Sequence, residues 1–151
     1  MKDPSENIRQ WLHDILHLTV QYNGSYVPCY SFVPQNVAKP FIVLGEQYME
    51  ADESTKDSNI TLNSINIEIY ASYSGNDASY KMVNSLSEDV LELITADPIT
   101  EAGSGGSDVG GIDGYGEINI MVGSIATQRV LFDNEIVIMK SIVIKLRLEE
   151  E

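Results

Sequence analysis

The chain is poor in the residues from which reactive and nucleic-acid-reading sites are built. It has one cysteine, two histidines and nine lysines plus arginines, against 23 aspartates plus glutamates. A single cysteine excludes an internal disulfide framework and fits a reducing compartment. Cys29 lies between Pro28 and Tyr30 with no histidine near it in sequence, so it reads as a small core filler, not a nucleophile. No run approaches the roughly 18 apolar residues of a membrane span, and MKDPSENIRQW at the amino terminus has no apolar signal core, so the expected location is the cytoplasm. The scarcity of base is uneven as well. No lysine or arginine lies between Lys81 and Arg129, whereas Glu88, Asp89, Glu92, Asp97, Glu101, Asp108, Asp113 and Glu117 all fall there. With a formal net charge of -14, such a surface repels phosphate backbones and anionic lipid, which argues against nucleic-acid and membrane binding.

What is present is an ordinary foldable composition. Hydrophobic residues make up 43% and charged residues 21% of 151, which places the chain with compact proteins and predicts one domain over 1–151. Asp3, Pro4 and Glu6 form a capping-box pattern ahead of Ile8, Trp11, Leu12, Ile15 and Leu16, whose spacing predicts an amphipathic helix ending near Leu18. Asn23-Gly24 between residues 19–22 and 25–27 predicts a β-hairpin, because both turn positions need positive φ. Residues 41–44 read as a short buried strand entering Gly45, and 50–59 as loop. Ile65, Ile67, Ile69, Ala71 and Tyr73 alternate with polar neighbours, which predicts a half-buried strand; Ile60 and Leu62 are out of phase with them, which predicts a bulge near Asn63. A second helix is predicted over 77–95, with Met82, Val83, Leu86, Val90, Leu93 and Ile94 on one stripe. Strands are predicted at 117–122 and 130–139, and a last one in which Ile142, Ile144, Leu146 and Leu148 oppose Val143, Lys145 and Arg147. The sum is an α+β fold: a mostly antiparallel mixed sheet, two amphipathic helices on one face, and long loops.

Several strings imitate functional motifs without completing them. His13 and His17 flank Asp14 at the spacing of a zinc helix, but the carboxylate is one methylene short, no third histidine exists, and both imidazoles are predicted to face solvent. Residues 102–116 hold seven of the eleven glycines, yet contain no lysine to grip a phosphate. Asp108, Asp113 and Glu117 could offer oxygens to calcium, but the spacing matches neither an EF-hand nor a glycine-rich calcium repeat. No catalytic, metal or cofactor residue is assigned. Eight tyrosines against three phenylalanines point to half-buried sheet packing or to subunit contact, since Tyr22, Tyr26, Tyr30, Tyr48, Tyr70 and Tyr73 fall on predicted strands. Long loops on a rigid sheet are where binding concentrates. The candidate partner-binding residues are therefore Glu50, Asp52, Glu53 and Asp57 in one loop, and Gly105, Asp108, Gly110, Asp113 and Tyr115 in the other.

The order of elements, with IRQWLHDIL, PFIVLGEQY, INIEIYASYSG, ASYKMVNSLSEDVLELI and the closing RVLFDNEIVIMKSIVIKLRL, resembles the tail-terminator (tail-completion) proteins of long-tailed bacteriophages over nearly the whole chain. The glycine segment 102–116 departs from that family's pattern. The resemblance implies a non-enzymatic virion protein, assembled in the host cytoplasm. It implies a ring, usually a hexamer, that caps the tail tube, ends its polymerisation and joins it to the neck. The implied partners are further copies of the chain, the tail tube protein and a neck or head-completion protein, with genome DNA passing through the ring unread. A neck or head-closure ring, a monomeric binding module and a metal-dependent enzyme using His13 and His17 are the alternatives, which native mass and metal content separate.

Overall fold

The computed structural model describes residues 3–51, 60–73, 75, 77–95, 112, 114–132 and 134–150. Helix α1 (Ser5–Leu16) has Pro4 at its N-cap instead of the expected Asp3, with no side-chain cap bond; Asp3 stands one residue earlier, where its Oδ1 accepts from the Ser5 amide at 2.9 Å and from the Ser5 hydroxyl at 2.6 Å. Ile8, Trp11, Leu12, Ile15 and Leu16 are all buried, as their spacing predicts. Strands β1 (Gln21–Tyr22) and β2 (Ser25–Tyr26) form the hairpin, with Asn23 at φ 52° and Gly24 at φ 81°.

The main sheet runs β3-β4-β5-β7-β6. Strand β3 (Cys29–Tyr30) pairs in parallel with the start of β4 (Phe41–Ala51), and every other neighbour is antiparallel. Strand β5 (Ile60–Ser72) lies at the centre, flanked by β4 and by β7 (Glu135–Glu150), with β6 (Tyr115–Phe132) outermost. Helix α2 (Asp77–Thr95) packs against β5 and β7, and α1 against β3 and β4. The core lies between the helices and one face of the sheet. It joins Ile65, Ile67 and Ile69 of β5, Ile142, Ile144, Leu146 and Leu148 of β7, and Val83, Leu86, Val90 and Ile94 of α2. This is the predicted α+β arrangement.

Three further expectations need correction. The bulge is not at Asn63: β5 and β7 stay in register from Ile60 to Ser72, and Thr61 and Asn63 occupy the buried face, where Asn63 Nδ2 donates to Thr61 Oγ1 at 2.9 Å. The irregularity lies instead on β4, between Leu44 and Gln47. There a Cβ on Gly45 would come within 3.2 Å of the Asn66 carbonyl oxygen, a closeness only glycine tolerates without a shift. Second, β4 continues past Gly45 to Ala51, so Glu50 belongs to a strand rather than a loop. Third, the strands predicted at 117–122, 130–139 and 142–148 are two long strands, since β6 runs unbroken through 123–129 and the 130–139 run contains the hairpin turn, with Asn134 at φ 64°. Asn134 is a turn residue whose signal is hidden by the apolar runs that flank it.

Candidate functional site

The helices leave the other face of the sheet open, and its residues follow from the register. Phe41, Val43, Tyr48 and Glu50 of β4 lie beside Leu62, Ser64, Asn66, Glu68 and Tyr70 of β5 and Val137, Met139, Ser141, Val143, Lys145 and Arg147 of β7. At one end Tyr48, Glu50, Leu62, Ser64, Met121 and Lys145 line a groove of about 360 Å³. Tyr48 and Met121 are more than 60% exposed, which makes the groove apolar at its rims. At the middle a polar chain joins four side chains: Ser141 Oγ donates to Asn66 Oδ1 at 2.6 Å, Asn66 Nδ2 to Glu68 Oε2 at 3.1 Å, and Tyr70 Oη to Glu68 Oε1 at 3.2 Å. At the far end Phe41, Tyr70 and Phe132 pack ring on ring, with centroids 5.2 to 5.8 Å apart, and the Lys39–Glu135 pair at 2.8 Å lies beside them.

The polar groups tie β7 to β5 through Ser141 and Asn66 and link neighbours along β5. Burial, with the charge of Glu68 and its hydrogen bond adding to it, pushes the Tyr70 phenol from 10.0 up to about 12. Burial pushes the Cys29 thiol from 9.0 up to about 12, the direction opposite to nucleophile activation. Both groups therefore hold their protons more tightly folded than unfolded. The stability they contribute is complete below pH 9 and is lost as the pH rises through the interval to about 12. A pH series of urea midpoints should fall across that window, and Tyr70→Phe should flatten the upper part of the fall.

His17 departs from expectation. It is half-buried instead of facing solvent, its ring stacks on His13 at 4.6 Å, and its Nδ1 accepts from the Cys29 amide at 2.9 Å. The imidazole thereby ties the end of α1 to β3, a structural use of the nitrogen that a metal would need. His17→Ala leaves the Cys29 N–H without its acceptor and is expected to cost about 1–3 kcal/mol in a thermal melt, with His13→Ala costing less.

Glu50 is exposed on the open face, with Tyr48 Oη donating to its Oε2 at 3.3 Å. Tyr115 is 3% exposed and belongs to the core, at the same end of the sheet but on the helix side. The structure does not bring these two together. Asp52, Glu53, Asp57, Gly105, Asp108, Gly110 and Asp113 lie outside the described residues.

The feature missed in the sequence is the middle of β6, residues 123–129, which joins the strand predicted at 117–122 to the start of the 130–139 run. Along its length β6 pairs with β7, and it ends the sheet. Residues 123–129 are exposed one after another, without the alternation of a covered strand. Its signal was available: residues 118–128, INIMVGSIATQ, carry no charge in a chain otherwise dense with acid.

No family model and no curated protein sequence matches the chain. Among solved structures it is similar to a chain of the virion of a native gene transfer agent particle, with a TM-score of 0.52 and 12% identity, over 97% of this chain and 91% of that one. The likeness is one of fold. No helix among the described residues is long and apolar enough to cross a membrane.

Proposed function

We propose that the chain is a structural protein of a phage-like virion, acting as a ring that caps the tail tube, ends its polymerisation and connects it to the neck. The observation that carries this reading is the fold shared, end to end, with a chain of a virion particle. The tail-terminator role within the virion is supported by the resemblance of the first helix, the strand PFIVLGEQY and the closing hairpin to that family. The described surface fits an assembly part: among the described residues it has a sheet face without helices, a long strand edge with no strand beside it, and large exposed apolar side chains at Met121, Ile125, Leu131 and Ile136. A lone protein gains nothing from such exposure, whereas a ring subunit covers it.

Native mass spectrometry is the test. A closed ring of six copies is the expected mass, and adding that ring to polymerising tail tube protein should stop growth. A ring that leaves tube growth unchanged moves the assignment to a neck or head-closure position. A chain that stays monomeric at high concentration, with and without tube protein, overturns the reading.

A further inference from the structure

A sheet that ends in an exposed strand presents a row of unsatisfied N–H and C=O groups, and proteins that remain single blunt such edges with lysine, proline, short strands or a covering element. The two edges of this sheet are treated differently. On the β4 side, β3 covers Ile42 and Val43. The Arg9 guanidinium reaches from α1 to the next two carbonyls, donating from Nη1 to Leu44 O at 2.7 Å and from Nη2 to Gly45 O. Only residues 48–51 of β4 run on beyond this cover, with no strand beside them on that side among the described residues. On the other side, β6 is 18 residues long, has no proline or lysine, and has one charge, Arg129, from 118 to 132. Gly123 marks its bulge, no strand lies along its outer edge among the described residues, and Met121 and Ile125 are 62% and 46% exposed beside that edge.

We infer that the outer edge of β6 is the seam at which a second copy of this chain extends the sheet, and that its counter-strand is residues 48–51 of β4 in that copy. This deepens the ring reading and rests on it. The two edges suit one another in charge: Glu50 lies within the β4 segment and Glu46 just before it, while β6 brings no acid beyond Glu117 and carries Arg129. They also suit the symmetry. Joining two different edges is a head-to-tail contact that repeats with a fixed rotation and can close into a ring, whereas joining β6 to β6 is a two-fold contact that stops at a dimer. Tyr48 and Ile125, both exposed in the single chain, then lie near the seam and are covered by it.

Cysteine cross-linking separates these outcomes, because Cys29 is fully buried with its thiol pushed up to about 12 and should not compete for reagent. Three full-length variants are compared with a bis-maleimide that spans neighbouring strands: Thr127→Cys, Glu50→Cys, and the two together. The double variant is expected to give a ladder of linked chains up to the ring size, and each single variant to stay unlinked. Linked dimers from Thr127→Cys alone overturn the inference in favour of a two-fold β6 contact. Hydrogen exchange on the unmodified chain gives an independent reading. A short run of outward amides within 118–132, the length of the four-residue counter-strand, should exchange at least ~10-fold more slowly in the assembled state than in dilute monomer. A ring in native mass spectrometry with neither cross-links in the double variant nor added protection overturns the seam and leaves the ring standing. A native mass of one chain overturns both.

Discussion

Phe41→Ala is expected to lower the unfolding free energy by about 3–5 kcal/mol, the range for truncating a fully buried aromatic side chain whose site cannot collapse. Phe41 has no exposed surface although it lies on the face the helices do not cover. Its ring is enclosed by Tyr70 at 5.2 Å, Phe132 at 5.8 Å and Tyr30 at 6.3 Å, which come from three other strands. The loss is thus felt at the junction of β3, β4 and β5 with the tip of the β6–β7 hairpin. The Lys39–Glu135 pair beside it cannot compensate, because Glu135 is 66% exposed and a solvated ion pair contributes little. Urea denaturation followed through the fluorescence of Trp11, the only tryptophan, measures the effect. Phe32→Ala is the control, since Phe32 is 86% exposed and its removal should stay within about 0.5 kcal/mol of no change. Equal midpoints for the two variants would show that the ring cluster does not hold the hairpin tip.

That cluster marks the limit of what the sequence discloses. Periodicity placed both helices, with α2 at Asp77–Thr95, because an amphipathic stripe depends only on residues three and four apart. Asn23-Gly24 disclosed its hairpin for the same local reason, as did the alternation in β5 and β7. Phe41, Tyr70 and Phe132 meet only after strands far apart in sequence pair, so no window of the chain contains the contact. The extension of β4 through Gly45 to Ala51 was hidden by composition. Glu46 and Glu50 look like loop residues, yet a strand beside an open face accepts charge at alternate positions. The stretch 123–129 was hidden by its blandness, since GSIATQR lacks the alternation by which half-buried strands are recognised, and it lacks it because neither side of that segment is covered. The candidate contact residues were sought in loops, and most of those loop positions lie outside the described residues.

Arg9→Met is the second large expected effect, about 2–3 kcal/mol of lost stability, and it carries a consequence for assembly. Beyond the carbonyls of Leu44 and Gly45, the guanidinium donates from Nε to Gln47 Oε1 at 2.5 Å, while Gln47 Nε2 donates to Ser5 O at 3.0 Å. One planar cation therefore holds the β4 bulge, closes off part of that edge and ties it to the first turn of α1. Arg9→Lys should recover only a minor share of the loss, because an ammonium cannot serve the fork of acceptors that a guanidinium spans. Removing the side chain also uncovers two strand carbonyls next to residues 48–51, lengthening the second bare edge of the sheet. Arg9→Met should then form larger and less regular associations than the wild-type chain, whereas Arg9→Lys should lie between them, as read by light scattering at matched concentration. The same loss of stability without any change in association would show that the guanidinium holds the bulge but does not guard the edge. A variant as stable as wild type would remove the guanidinium from both roles.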